Sequence, residues 1–324
     1  MKPIASLSLD LDNAWSYLKT HGNPSWEAMP SYLDRVVPIA LQVLRDADLR
    51  ITFFIVGIDA DRPEGPELLQ AMTEDGHEIG NHSYTHEPWF HLFDEARIAD
   101  EIDRTDAAIE RATGVRPTAF RGPGYSLSPT LLRLLADRGY EVDASTLPTW
   151  IGPLARRYYF RTARLDREQR RERSRLFGTW RDGVRPVKPY RWELPDRELL
   201  ELPVTTLPFL RVPIHISYVL YLEQLSPAIA RAYLRTALAT CRLAGVAPSL
   251  LLHPLDQLGA DDLPGSGLDF FPGMEGQGDE KRRFVAECLA IVSERHDVVT
   301  VGAHAAQITG SGVGVPRRDP ASVR

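Results

Sequence analysis

The chain has 324 residues, of which 43% are hydrophobic and 25% charged, and a net charge of −6. That length can bury a large core, in one barrel-sized domain or two smaller ones, and the composition is that of an ordinary globular protein. The acidic balance gives no footprint for nucleic acid. No stretch is a convincing membrane span, because the most apolar one, 207–222, carries Pro208, Arg211, Pro213 and His215 and is short for a bilayer.

In chain order, strand-like apolar runs fall at 4–9, 51–56, 78–81, 119–120, 141–142, 199–204, 249–252 and 298–301. Helix-like patterns lie between them at 32–47, 66–74, 95–113, 129–138, 227–244 and 280–295. Ser128-Pro129 and Ser226-Pro227 are helix starts, and Gly76, Gly114, Gly139 and Gly245 are stops. This alternation predicts an α/β protein with a parallel sheet, open or closed into a barrel, whose chemistry gathers at the carboxyl ends of the strands. Met1 runs straight into the first strand and leaves no room for a signal peptide, and Cys241 and Cys288 suit a reducing compartment, so a cytoplasmic location is expected.

Two segments break the pattern. From 153 to 197 the chain reads as an insertion holding Arg156, Arg157, Arg161, Arg164, Arg167, Arg170, Arg171, Arg173, Arg175, Arg181, Arg185, Lys188 and Arg191 against Asp166, Glu168, Glu172 and Asp182. It is either a solvated helical insertion or a cap for an anionic group, a phosphate or an anionic lipid surface. The 207–222 stretch is either a core strand with a turn or a lipid-facing lip. Residues 309–324, rich in Gly, Ser, Pro and Arg, are expected to be a disordered tail behind a single domain at 1–308.

The chemistry concentrates in a few residues. Asp10, Asp12, His82, Arg121, Asp143 and His253 each closely follow an apolar run, which points to one shared site. His82 and His86, four apart, can face one metal, and Asp12 completes a His-His-Asp set that leaves a position open for water or substrate. Asp10 is then free to act as a base beside that water, and two close carboxylates need a cation, which metal and Arg121 supply. His77 and His91 share the neighbourhood but read as structural, as do His21, His215, His296 and His304. Trp15, Trp26, Trp89 and Tyr125 flank these residues and are candidates for an aromatic binding wall. Asp256 is either a support for the site or a turn residue.

Ser8-Leu9-Asp10-Leu11-Asp12-Asn13, His82-Ser83-Tyr84-Thr85-His86, Arg121-Gly122-Pro123-Gly124-Tyr125, Asp143-Ala144-Ser145 and Leu251-Leu252-His253 resemble, in order, the five motifs of the polysaccharide deacetylase family. This is carbohydrate esterase family 4, the NodB homology family. The resemblance spans 4–253, more weakly to 308, and implies a deformed (β/α) barrel with fewer than eight strands. It implies a hydrolase of carbon–nitrogen bonds other than peptide bonds, removing an N-acetyl group from an amino sugar or sugar conjugate. Position by position, it makes Asp10 the base and Asp12, His82 and His86 the ligands of one divalent ion, zinc or alternatively Co, Ni, Mn or Fe. Arg121 holds the base, His253 is the acid, Asp143 orients His253, and Leu252 packs the acyl methyl.

The first motif has Leu11 between its aspartates, which resembles a branch with an Asp-x-Asp pattern. Gly124 replaces a common aromatic residue whose N–H serves an oxyanion hole, and the fourth motif lacks the usual tryptophan. The insertion and the apolar lip make a phosphate- or lipid-linked amino sugar attractive as partner, with peripheral contact at the inner face of the membrane. Alternatives are a deformylase of a lipid-linked N-formyl amino sugar, a cyclic amide or ureide hydrolase of the same superfamily, and, from a different class, a non-catalytic carbohydrate-binding protein.

Overall fold

The structure, a computed structural model, describes residues 2–323 apart from 164, 174–178, 196, 272 and 312–313. Arg164 and Arg175 of the basic insertion and Gly312 and Val313 of the tail therefore lie outside the described residues. The strands are β1 (Ile4–Asp10), β2 (Thr52–Ile55), β3 (Glu78–Asn81), β4 (Ala119–Phe120), β5 (Val142–Asp143), β6 (Tyr190–Glu193), β7 (Glu198–Glu201), β8 (Ser249–Leu252), β9 (Asp297–Val299) and β10 (Arg317–Arg318).

The first strand shows how the sequence builds the sheet. Side chains alternate, so Ala5, Leu7 and Leu9 join a core cluster with Leu33, Val36 and Val37 of the helix Leu33–Asp46, while Ser6, Ser8 and Asp10 take the other face. The strand order is β10-β6-β7-β5-β4-β3-β2-β1-β8, with β9 pairing on β1. Every pairing is parallel except β6 with β7. The parallel run from β7 to β8 has its two ends linked beyond β7, where Thr205 N–H donates to Ser249 O at 2.9 Å and Ser249 N–H to Thr205 Oγ1 at 2.7 Å. The fold is thus the α/β, parallel-sheet architecture expected from the alternation. Asp10, Asn81, Asp143 and Glu201 end their strands and His82, Arg121 and His253 follow theirs, so all share one rim.

Local signals explain the helices that carry this frame. Ser128 and Ser226 accept from the N–H groups of Leu131 and Ile229, and Gly114 and Gly245 close their helices at φ 74° and 63°. Three expectations need correction. Residues 207–222 form neither a strand nor a simple lip: a turn held by a Thr206–Pro213 bridge leads into the helix Ile216–Glu223. The strand expected at 298–301 stops at Val299, because Thr300 caps the helix Val301–Gly310 by accepting from Ala303 N–H. The tail is not disordered throughout. Arg317 and Arg318 pair with the edge strand β6, Arg317 reaches Glu198 at 3.1 Å, and Val323 buries itself in the Tyr190–Trp192 cluster.

Two histidines tie this frame to pH. His77 Nδ1 accepts the N–H of Ile51 at 3.1 Å, and His304 Nδ1 faces Ser6 Oγ at 2.9 Å. Burial lowers both from 6.5 to about 4. A depressed imidazole binds its proton more weakly folded than unfolded. Its contribution is therefore complete above pH 6.5 and disappears as pH falls through about 4. Each group contributes at most on the order of 3 kcal/mol. Chemical denaturation followed between those limits should show stability falling with acid, and a His77→Asn, His304→Asn double variant should show a shallower slope; equal slopes would refute this account.

Candidate active site

Asp12, His82 and His86 are buried and meet at the rim, with one ligand atom from each lying within 4.8 Å of the others. Asp12 Oδ1 is 2.8 Å from His86 Nε2 and 3.4 Å from His82 Nε2, yet it accepts no aligned hydrogen bond. A buried carboxylate oxygen without a donor is costly. The cost is removed if all three atoms share a cation, and this donor set fits a first-row divalent ion with an open position. His82 Nδ1–H donates to Arg121 O at 2.6 Å, which leaves Nε2 as the lone-pair nitrogen on the Asp12 side. Burial works to raise Asp12, but the His86 and His82 imidazoles outweigh it and hold the carboxyl well below its usual range. Burial also disfavours a charged His82, and Asp10 and Asp12 outweigh it and raise that imidazole.

The loop that carries both histidines is strained and supported. Ser83 and His86 adopt left-handed backbone at φ 61° and 48°. Ser83 N–H donates to Asn81 Oδ1, and the buried Glu101 of helix Glu95–Thr113 accepts the N–H groups of Tyr84 at 2.9 Å and Thr85 at 2.8 Å, together with the Thr85 hydroxyl. On the far side, Tyr32 O–H donates to the Asp12 carbonyl at 2.6 Å. Neither Glu101 nor Tyr32 carries a signal in the sequence, because each acts through a tertiary contact, Glu101 from within a helix and Tyr32 from just before one.

Asp10 sits on the same strand face as Asp12, with Leu11 buried opposite, and its Oδ2 is 4.0 Å from His82 Nε2. Arg121, fully buried, donates from Nη1 to Asp10 Oδ1 at 2.6 Å and to Ser8 Oγ at 2.8 Å, and from Nε to Ala144 O at 3.0 Å. Its guanidinium also lies 4.3 Å from the centre of the Phe54 ring. Asp10 and Arg121, which the motifs pair, are therefore in direct contact.

Asp143 is placed differently from that expectation. Its carboxyl takes the Ser145 hydroxyl and lies beside Glu201, its register partner on β7. Burial and the Glu201 carboxylate push Asp143 well above the usual carboxylate range. Glu201 is the better-solvated member, accepting Thr146 N–H at 2.9 Å, Thr146 Oγ1 at 2.6 Å and Trp192 Nε1 at 3.0 Å. Asp143 Oδ2 has no hydrogen-bond partner among the described residues, and no bond from Asp143 to His253 is seen there. His253 Nδ1 instead lies 2.9 Å from Ser217 Oγ, and Ser217 in turn donates to Asp256 at 2.9 Å.

These residues open on a cleft of about 750 Å³ lined by Asp10, Asp12, His82, His86, Gly124, Tyr125 and His253. Of the expected aromatic wall, only Tyr125 lines it. Trp15 is buried with its N–H on Asp59, Trp26 packs against the core under Lys19, and Trp89 lies beneath Arg173. Leu252 belongs to the core with Leu9 and Leu250, because alternation along β8 turns it away from the rim. The walls are Tyr17, Tyr218, Tyr221, Phe270 and Phe271. His21, stacked on Phe270 at 3.6 Å, and His215 also line the cleft, which corrects their reading as purely structural. Gly124, at φ 57°, keeps the rim low, since a Cβ there would meet Pro88 at 3.0 Å.

A parallel α/β frame that gathers paired aspartates, a His-His-Asp cluster and a rim histidine at its strand ends is able to hold a divalent ion beside a carboxylate. The polysaccharide deacetylase family model matches residues 25–142, a span that contains His82, His86 and Arg121. The chain is 33% identical over 107 residues to the uncharacterized protein YlxY of Bacillus subtilis, covering 33% of this chain and 31% of that protein. It is 28% identical over 115 residues to a chitin deacetylase of Colletotrichum lindemuthianum, covering 35% and 46%. The matches thus span less than half the length of these curated relatives. A crystal structure of a polysaccharide deacetylase candidate from Mycobacterium smegmatis shares the fold at TM-score 0.60, 20% identity and 98% coverage of both chains. Over residues 25–142 the chain is thus similar to the polysaccharide deacetylase family.

Because Glu101 holds the loop through two backbone N–H groups, Glu101→Ala should weaken zinc or cobalt binding by about tenfold or more. Competition against a chromogenic chelator measures this; unchanged affinity would show that the loop keeps its shape alone.

Proposed function

We propose that the protein is a metal-dependent hydrolase that removes an N-acetyl group from an amino sugar or sugar conjugate, and that its Asp10-Leu11-Asp12 motif places it in the Asp-x-Asp branch of the family. The observation that carries this reading is the convergence of buried Asp12, His82 and His86 within 4.8 Å of one another, with Asp10 and His253 on the same cleft. One divalent ion held by Asp12, His82 and His86, zinc in this proposal, would supply a polarised acyl carbonyl and a more acidic attacking water. Asp10, fixed by Arg121, takes the proton from that water. His253 gives a proton to the amide nitrogen as the carbon–nitrogen bond breaks, so the products are a carboxylate and a free amine. Tyr125 and the Tyr17–Tyr218 side of the cleft supply apolar surface for the sugar ring.

The sugar we propose is phosphate- or lipid-linked, presented at an anionic membrane surface on the cytoplasmic side. Support comes from the rim of the cleft. Val184 and Phe209 are each 82% exposed, and Trp180 and Leu210 are exposed beside them. Trp150 stacks on Trp180 at 6.2 Å and donates its N–H to Leu210 O at 2.7 Å, while Arg211 donates to Arg185 O at 2.8 Å. These contacts join the basic insertion to the 207–213 turn as one apolar and cationic edge, with Arg185 and Asp182 facing the cleft. Cys241 and Cys288 are free, buried and pushed up to about 12 by burial, which supports a reducing compartment. The same rim supports an N-formyl lipid-linked sugar as the second reading.

Purified protein should carry about one equivalent of a divalent ion and release acetate, or formate under the second reading, from a panel of N-acyl amino sugars. Asp10→Asn should abolish turnover with metal retained, and His82→Ala should lose both. Metal-loaded wild type releasing neither acid would end the deacylase reading. Flotation with anionic vesicles should weaken in a Trp180→Ser, Phe209→Ser variant; equal flotation would remove the membrane from the proposal.

A further inference from the structure

We infer that Ser217 and Asp256 form a buried hydroxyl–carboxylate pair that holds His253 in the tautomer and orientation needed for proton delivery. The inference rests on the reading of His253 as the acid, and it assigns the positioning role to residues outside the motif expected to supply it. Asp256 Oδ2 accepts two donors, the Ser217 hydroxyl at 2.9 Å and the His253 backbone N–H at 2.8 Å. Since Ser217 gives its proton to that carboxylate, its oxygen is left to accept, and the group facing it at 2.9 Å is His253 Nδ1. The chain His253 Nδ1–H to Ser217 Oγ, then Ser217 O–H to Asp256, leaves Nε2 as the nitrogen that gains and loses a proton. The arrangement is the triad logic of an imidazole oriented from behind, with one hydroxyl interposed.

The surroundings favour this assignment. Ser217 and Asp256 are 4% and 2% exposed, so bulk water does not compete for their bonds. Ser217 comes from the first turn of helix Ile216–Glu223, and Asp256 from the short turn after His253, so two separate elements fix the ring. Lys281 pins that turn by donating to the carbonyls of Leu255, Leu258 and Gly273 and places a positive charge near Asp256. His215 also faces His253, with ring centres 5.9 Å apart, and burial lowers its affinity for a proton. Asp143 lies against Ser145 and Glu201.

The test reads the imidazole nitrogens of His253 by NMR in the full chain, alongside acyl release. Ser217→Ala should reduce the Nδ1–H tautomer and lower kcat about tenfold with KM little changed, while Ser217→Thr, which keeps the hydroxyl, should restore both. Asp256→Asn should move the tautomer in the same direction and shift the alkaline limb of kcat/KM. A tautomer unaffected by Ser217→Ala and Asp256→Asn, or altered by Asp143→Asn alone, would overturn the inference. A protein that releases no acid from any substrate yet shows the tautomer change would sustain the positioning role while removing the deacylase reading.

Discussion

The buried guanidinium of Arg121 is the interaction on which the site depends. It crosses the interior of the sheet to bind Asp10 and Ser8 of β1 and the carbonyl after β5, while its own carbonyl takes His82 Nδ1–H. One residue thereby fixes the Asp10 carboxylate and the tautomer of the His82 imidazole. A cation so fully removed from water persists only because a carboxylate, a hydroxyl, a carbonyl and the Phe54 ring surround it. Removing either Arg121 or Asp10 leaves the other charge buried alone, which is the expensive way to break such a pair.

Around that pair the carboxylates take three different states. Asp12 is held ionised by two imidazoles, Asp143 is pushed toward its neutral form by burial and by Glu201, and Asp256 is raised by burial while accepting two donors. The same functional group thus sits between two imidazoles, beside a second carboxylate and behind a third imidazole. Environment, rather than residue type, assigns the roles.

The cleft reflects a similar division. Its floor is polar and rigid, built on strand ends and on turns whose positive backbone angles are held by Asn81 and Glu101. Its far wall is aromatic and its rim apolar and cationic, supplied by the insertion and the 207–213 turn. The polar floor and the apolar, cationic rim therefore come from different parts of the chain, the first from the parallel frame and the second from what has been added to it.

Much of this was legible in the residues themselves. Short apolar runs located β1, β3, β4 and β8 closely, the Ser-Pro starts and glycine stops bounded the long helices, and motif spacing named Asp10, Asp12, His82, His86, Arg121 and His253, which the fold brings to one rim. These signals are local, so a short stretch of sequence contains them whole. What lay beyond reach were the contacts between elements distant in sequence: Glu101 under the histidine loop, Ser217 behind His253, Glu201 beside Asp143, and the burial that removed Trp15 and Leu252 from the cleft. A tail rich in polar and small residues also gained order because β6 offered it a free edge. Only packing decides which side chains face one another, and no pattern within a single element records that choice.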